Sequence, residues 1–308
     1  MPGAVGPVSL DYLGCDRAAG RFWIPAGGTG SVDVIDVATG QVSRIEGFPT
    51  TEREFRGKKH VVGPSSVTFG EHMVYVGNRA TSEVCAVDPS TMKRGACVKL
   101  ASSPDGIQYI AATKEVWVTT PRSQAIWILD AAKPAALRVK GSIALPGDPE
   151  GYAVDSARGR FFTNLEDKDK TLAVDVKSHA IVATWEPQCG SEGPRGLALD
   201  ASGQWLVVAC TDHVQVLDAA HEGALRGRLD TGGGVDNLDY LPTSGRLYIA
   251  SGATAQLTVA QLGDGGSLVS LGVVPTARGA RNAVVNGDGT VCVANSQEGQ
   301  VLLLKPGP

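Results

Sequence analysis

Residues 193–210, GPRGLALDASGQWLVVAC, have the pattern of two antiparallel β-strands joined by a tight hairpin. Apolar residues alternate or run together in each half, and a short polar stretch separates the halves, which is typical of a β-hairpin. A charged residue, Arg195, stands between Pro194 and Gly196 where the first strand begins. Related stretches recur along the whole chain, so this one predicts both the fold and the place of the candidate site.

The chain contains seven copies of this hairpin, and most of them start 40 to 45 residues apart. The copies occupy residues 6–26, 63–78, 103–120, 148–164, 193–210, 234–252 and 279–296. The longer gap between the first two copies holds a charged insertion at about residues 49–61, which includes TTEREFRGKKH.

A third alternating run follows each hairpin, and in five copies this run ends in an aspartate: Asp36, Asp88, Asp130, Asp175 and Asp218. Aspartate suits a turn there because its side chain accepts hydrogen bonds from nearby backbone N–H groups. A fourth strand then leads into the next copy. Four short strands in a repeat of about 43 residues are typical of a propeller blade. We therefore predict an all-β, seven-bladed β-propeller with four-stranded antiparallel blades and a last blade of three strands or with a poorly formed fourth, and we expect its first strand at residues 6–13.

The segments VYVGNRATSEVCAVD (residues 74–88) and GSVDVIDVATGQV (residues 30–42) resemble the YVTN repeat of bacterial seven-bladed propellers. The resemblance covers nearly the whole chain and implies a single propeller domain over residues 1–308. It implies little about activity, because propellers include lactonases, lyases, quinoprotein dehydrogenases and binding scaffolds. Function must therefore be argued from the site.

Composition narrows the classes of partner. The net charge of −4 and the pI near 5.8 argue against nucleic acid as the main partner. No apolar stretch approaches the roughly 20 residues that cross a bilayer as a helix. Since a closed propeller exposes only short sheet edges, we expect a monomer that binds a small-molecule substrate or ligand. The sequence leaves localisation open; a periplasmic or secreted protein is expected if a signal peptide has been removed.

Charged residues recur near the start of the first strand of each copy. The residues at this position are Val8, Ser65, Asp105, Glu150, Arg195, Asp236 and Arg281, followed in later copies by the small or polar Asn237 and Asn282. First strands line the central channel of a propeller, so we predict a ring of charges at one end of the channel. Such a ring can equally be a set of ion pairs that holds the blades in register, with Arg195 between Glu150 and Asp236.

The loop between the second and third strands lies at the same end and adds candidates. They are Asn78, Arg79, Thr120, Arg122, Asn164, Glu166, Asp167, Asp212, His213 and Asn295. His213 is the strongest histidine candidate for a general base, because it directly follows Asp212. Arg122 and Asn164, with Arg195, Arg281 and Asn282, are predicted to bind substrate.

Two chemistries fit these residues; the first is our prediction and the second is the alternative. In the first, Asp105, Glu150, Asp236 and Asn237 bind a divalent metal (Ca, Mg, Mn or Zn), and His213, Glu150 and Asp236 act as catalytic residues of a hydrolase or lyase for esters, lactones or phosphotriesters. This layout resembles that of propeller lactonases and phosphotriesterases in position but not in motif. In the second, the arginines bind an anion, a peptide or a protein without catalysis. A quinoprotein is a third, weaker reading, because no cofactor signature is visible.

Four of the six cysteines form two candidate disulfides. Cys85 and Cys97 flank the turn VDPSTMKRGA, and Cys189 and Cys210 lie near the entry to the fifth copy and the end of its second strand. Both bridges would indicate an oxidising compartment. The alternative is that these cysteines are small buried apolar residues.

Overall fold

The computed structural model describes residues 1–55 and 57–306. Within them lie six four-stranded antiparallel sheets and one three-stranded sheet, and in each the strands follow one another in chain order. These sheets are the blades of a seven-bladed β-propeller. The three-stranded last blade is confirmed. We number the blades in chain order and the strands of each blade from first to fourth.

The chain divides into two compact units, Met1–Ala144 with Ser296–Val301 and Leu145–Asn295 with Leu302–Pro308. The first unit contains blades 1 to 3. Blade 1 consists of Gly14–Asp16, Arg21–Ala26, Ser31–Asp36 and Val42–Ile45. Blade 2 consists of Pro64–Phe69, Val74–Asn78, Glu83–Asp88 and Lys93–Lys99. Blade 3 consists of Ile107–Ile110, Glu115–Thr120, Ala125–Asp130 and Arg138–Ala144.

The second unit contains blades 4 to 6 and most of blade 7. Blade 4 consists of Pro149–Asp155, Arg160–Leu165, Lys170–Asp175 and Ile181–Trp185. Blade 5 consists of Leu197–Asp200, Trp205–Ala209, His213–Asp218 and Ala224–Asp230. Blade 6 consists of Val235–Leu241, Arg246–Ser251, Gln256–Leu262 and Leu268–Pro275. Blade 7 consists of Ala280–Val285, Val291–Asn295 and Gln300–Leu304.

The charged insertion forms a separate two-stranded hairpin, Thr51–Phe55 paired with Lys58–Val62. Helical structure in the described part of the chain is limited to four short 3-10 turns, Gly27–Thr29, Pro121–Ser123, Pro134–Ala136 and Asp264–Gly266.

The core lies between the faces of neighbouring blades. Second strands are buried on both faces, which explains their near-continuous apolar runs. In blade 2, Tyr75 packs toward blade 3, whereas Val74 and Val76 pack toward blade 1. Since successive side chains of a strand point to opposite faces, the second strand of blade 2 fills two gaps between blades.

The predicted turn aspartates are confirmed. All five end the third strands of blades 1 to 5, and in each a side-chain oxygen accepts a backbone N–H from the turn, at 2.8 Å in Asp88 and 2.9 Å in Asp175. These hydrogen bonds stabilise the charged carboxylate. The pKa of Asp88 therefore falls to about 2, through the hydroxyl and backbone N–H of Ser90, and the turn at Ser178 lowers the pKa of Asp175 to about 2.

The prediction for the N-terminal strand was wrong. The first strand of blade 1 is Gly14–Asp16 and not residues 6–13. The preceding segment instead bonds to the end of the hairpin of blade 7: the Val8 amide donates to the Ser296 carbonyl at 2.9 Å, and the N-terminal ammonium donates to the Gly299 carbonyl at 2.6 Å. The first Gly-Pro pair, at residues 6 and 7, lies well before the first strand of blade 1, whereas Pro64 of the second Gly-Pro pair begins the first strand of blade 2.

Candidate functional site

The candidate site lies at the entry end of the blades, by which we mean the end where the chain enters each first strand and passes from the second to the third. Backbone hydrogen bonds between neighbouring blades identify the equivalent positions at this end. The Gly196 amide donates to the Asp236 carbonyl at 2.9 Å, and the Tyr12 amide donates to the Ser65 carbonyl at 3.0 Å. Tyr12 is therefore the equivalent of Gly196, and the residue before it, Asp11, is the equivalent of Arg195.

The charged position of blade 1 is thus Asp11, and the assignment of Val8 was wrong. The corrected set is Asp11, Ser65, Asp105, Glu150, Arg195, Asp236 and Arg281. Aligning the copies on Gly-Pro hid Asp11. Counting back from the hairpin turn finds it: Asp11 lies five residues before Asp16, as Arg195 lies five residues before Asp200, and both aspartates pair with the first residue of the second strand.

In the first unit, one arginine joins two of these carboxylates. Arg79, in the loop after the second strand of blade 2, donates from Nη2 to Asp11 Oδ2 at 2.6 Å and also forms an ion pair with Asp105 Oδ1. The three side chains are 12–21% exposed. Asp105, predicted to bind metal, is therefore held by a guanidinium that links blades 1, 2 and 3.

In the second unit, the arginines at strand starts also contact carboxylates. Arg281 Nη1 lies 3.3 Å from Asp236 Oδ1. Arg195 forms an ion pair with Glu166, in the loop of blade 4, and its Nη2 donates to the Glu192 carbonyl at 3.0 Å. The carboxylate that pairs with Arg195 is thus Glu166, rather than Glu150 or Asp236.

A glycine permits this arrangement around Arg195. Gly193 has φ of +71°, and a Cβ atom there would collide with the Glu166 carbonyl oxygen. Both the left-handed backbone and the lack of a side chain are needed for the chain to approach the Glu166 loop. Gly193 therefore brings Arg195 next to its partner.

Two of the predicted asparagines, Asn164 and Asn282, are buried inside the blades, and Asn237 is half-buried. Asn164 is fully buried; its amide nitrogen donates to the Arg195 carbonyl and its Oδ1 accepts from the Thr171 hydroxyl at 2.7 Å. Asn237 Oδ1 accepts the Leu238 amide at 2.9 Å, and Asn282 is 2% exposed. Asn164 thus positions the backbone of the next blade, and these contacts give it a structural task at the predicted site.

Glu150 occupies an irregular part of its strand. It is half-buried and pairs with Asn164, and the register shifts between Glu150 and Tyr152. Gly151 in this bulge has φ of +66°, and a Cβ atom there would collide with the Arg195 carbonyl oxygen. The bulge therefore lets the first strand of blade 4 lie directly against that of blade 5.

His213 is buried within blade 5. It begins the third strand, and its Nδ1 lies 2.6 Å from Asp212 Oδ1, whose pKa is lowered by this hydrogen bond. The His213 carbonyl accepts the Cys210 amide, so the pleat places both side chains on one face of the blade. His213 begins the third strand of its blade, whereas Glu150 and Asp236 lie on first strands.

The described residues, 1–55 and 57–306, bring together no group of three His, Cys, Asp or Glu side chains that could hold a metal ion. The metal set Asp105, Glu150, Asp236 and Asn237 stays a prediction. Nor does any helix among the described residues have the length and apolar character needed to cross a membrane.

Both candidate disulfides are formed. Cys85 and Cys97 face each other on the third and fourth strands of blade 2, with Cα atoms 3.9 Å apart. Cys189 and Cys210 join the loop before blade 5 to the end of its second strand, with Cα atoms 5.2 Å apart. Cys15 and Cys292 lie outside these bridges.

No protein-family model and no curated protein matches the chain. Solved structures match it throughout. A chain of Kuenenia stuttgartiensis hydrazine synthase is 15% identical with a TM-score of 0.78, covering 99% of both chains. A chain from the mitotic checkpoint complex is 16% identical with a TM-score of 0.78, covering 96% of this chain and 87% of that one.

The β-propeller domain of Myceliophteria thermophila Cps50 (Swd1) is 11% identical with a TM-score of 0.76, covering 99% of this chain and 98% of that one. Likeness at this level of identity establishes the fold and leaves activity to be argued from the site. The chain has the fold of a seven-bladed β-propeller.

Proposed function

We propose that the chain is a non-catalytic propeller that binds a ligand at the entry end of its blades. One observation carries this proposal: the aspartates at the strand starts are held by arginines, as in Asp11–Arg79–Asp105 and Asp236–Arg281. A divalent cation would have to displace a guanidinium to bind Asp105 or Asp236. Loss of the guanidinium would leave these half-buried carboxylates without a counter-charge, which is costly.

The metal-assisted hydrolase remains the competing prediction. It requires Glu150 and Asp236 to act on substrate and His213 to accept a proton. The contacts described above favour binding over catalysis, because they engage Asp236 with Arg281 and place His213 on the third strand of its blade.

The disulfides support a working location outside the reducing cytosol. Thiols are kept reduced in the cytosol, whereas disulfides persist in secreted and periplasmic proteins. Cys85–Cys97 and Cys189–Cys210 therefore favour an oxidising compartment.

A turnover assay tests the proposal. The protein is incubated with an aryl ester, a lactone and a phosphotriester, each with Ca²⁺, Mg²⁺, Mn²⁺ or Zn²⁺ added, alongside Glu150→Gln and Asp236→Asn. Glu222→Gln, at an exposed turn of blade 5, is the matched control. We expect no turnover of any of the three substrates above the rate without protein. Turnover that either variant abolishes and Glu222→Gln retains overturns the proposal, and turnover by the wild type and by both variants would also overturn it.

A further inference from the structure

The inserted hairpin between blades 1 and 2 has two chemically different faces. Cross-strand partners share a face, so Arg53 and His60, which pair directly, lie on one side. Glu52, Glu54 and Lys59 lie on the other, where Lys59 Nζ is 3.4 Å from Glu52 Oε2. The hairpin therefore separates an acidic face from a basic one.

The basic face is turned toward the entry end of blade 2. Arg53 Nη2 donates to the Arg79 carbonyl at 2.6 Å, and its Nη1 lies 3.4 Å from the Ser103 hydroxyl. Arg53 is half-buried in this position. Arg53 of the insertion thus contacts both the loop after the second strand of blade 2 and the loop before the first strand of blade 3.

A second guanidinium lies at the same end of blade 3 as Ser103, which Arg53 contacts. The loop that holds Ser103 adjoins the end of the second strand there, because the Asp105 amide donates to the Thr119 carbonyl at 2.9 Å. Arg122 is exposed in the 3-10 turn Pro121–Ser123, directly after the second strand of blade 3. Burial lowers the pKa of Arg53, and the positive charges of Arg122 and Arg79 lower it further. Three arginines from the hairpin, blade 2 and blade 3 therefore share one region of the first unit.

The three arginines differ in whether a carboxylate pairs with them. Arg79 has carboxylate partners in Asp11 and Asp105. Arg53 and Arg122 form no ion pair with a carboxylate in residues 1–55 and 57–306; the contacts of Arg53 there are a carbonyl and a hydroxyl. The three arginines and the two aspartates together leave one net positive charge in this region, and an oxyanion between Arg53 and Arg122 would offset it.

We propose that Arg53 and Arg122 form a binding site for the carboxylate or phosphate group of a small organic anion, with His60 at its edge. The planar guanidinium suits both groups because it can donate two parallel hydrogen bonds to one oxyanion. The site rests on the proposed function, in that it names the ligand class that this end of the propeller binds. Its residues are separate from Glu150, Asp236 and His213.

The test is a titration of the full chain, by calorimetry at constant ionic strength, with inorganic phosphate and, separately, with succinate. The variants are Arg53→Met, Arg122→Met and the double variant, and Arg246→Met, at an exposed position in blade 6, is the matched control. We expect each single change to weaken binding about tenfold, since each removes charge-assisted hydrogen bonds. Because Arg122 is exposed, we expect Arg122→Met to fold and to melt at or above the wild-type temperature.

Saturable binding of either anion that is lost in the double variant and kept in Arg246→Met supports the site, and the anion that binds identifies phosphate or carboxylate as the preferred group. No binding of either anion, or binding that the double variant retains, overturns it. An adventitious, unsaturable response to both anions in all variants also overturns it. These outcomes are independent of the turnover assay, which addresses Glu150 and Asp236, so failure of this site and failure of the proposed function are distinguishable.

Discussion

Removal of Arg79 is the sharpest perturbation of the ion pairs at the entry end. The change Arg79→Met keeps the length of the apolar stem but leaves Asp11 and Asp105, whose side chains are 12% and 13% exposed, without their shared guanidinium. Loss of one partner from a buried ion pair costs about 3–5 kcal/mol, because the remaining charge is uncompensated. These groups retain some contact with water, so we expect the lower end, about 3 kcal/mol.

That loss is measurable as a melting temperature. An unfolding entropy of about 2.1 cal/mol/K per residue corresponds to roughly 0.65 kcal/mol per kelvin for this chain, so Arg79→Met should lower Tm by about 5 °C. Circular dichroism at neutral pH and low salt would follow the transition. The triple variant Asp11→Asn, Arg79→Met, Asp105→Asn removes all three charges together, and we expect it to recover most of the lost stability.

The two variants separate a charge effect from a packing effect. A Tm for Arg79→Met that equals the wild-type value would show that the carboxylates do not need the guanidinium and would contradict the prediction. A triple variant that is less stable than Arg79→Met would show that the arginine stem, rather than its charge, joins the three blades.

Three further predictions concern other parts of the chain. The pKa of Asp88 is about 2 in the folded protein, below its ordinary value of 3.8. Its contribution to stability is therefore present above about pH 4 and is lost between about pH 4 and pH 2. The Tm difference between wild type and Asp88→Asn should vanish across that interval, and a difference that stays constant would contradict this. Thiol titration of the unfolded, unreduced protein should detect Cys15 and Cys292 but not the bridged cysteines; four thiols would show that one bridge is absent, and six that both are. Cys85→Ala with Cys97→Ala should cost about 3 kcal/mol in urea unfolding, since the bridge closes a short loop. On the edge strand Leu268–Pro275, Val269, Leu271 and Val273 are 50–59% exposed, so Leu271→Lys should leave Tm unchanged and reduce light scattering on heating; a large fall in Tm would show that Leu271 is packed.

Repetition made the fold predictable from sequence. Every blade repeats one hairpin, and a single residue type at a fixed place, as in Asp88 and Asp175, marks the end of a third strand. Local chemistry decides these turns, because the carboxylate bonds to the backbone N–H groups that follow it. The pair Cys85–Cys97 was predictable because one short turn joins the two strands, although a register shift between Arg94 and Cys97 is what places the two cysteines opposite each other.

The partners of the charged residues were harder to predict, because they depend on contacts between blades. Asp11 was missed since three extra residues separate Gly-Pro from the strand in the first copy. Arg53 was missed because it lies in an insertion whose placement against Arg79 and Ser103 is a tertiary contact. Position relative to the hairpin turn, rather than relative to the Gly-Pro motif, is the sequence signal that recovers Asp11.

The metal content of the protein, purified without chelator and measured by elemental mass spectrometry, distinguishes ion pairing from metal binding at the strand-start aspartates. Because arginines balance these aspartates, we predict Ca, Mg, Mn and Zn well below one atom per chain, with no change in Glu150→Gln or Asp236→Asn. One bound metal per chain that is lost in either variant would contradict this prediction and restore metal-assisted hydrolysis as the better explanation of this site.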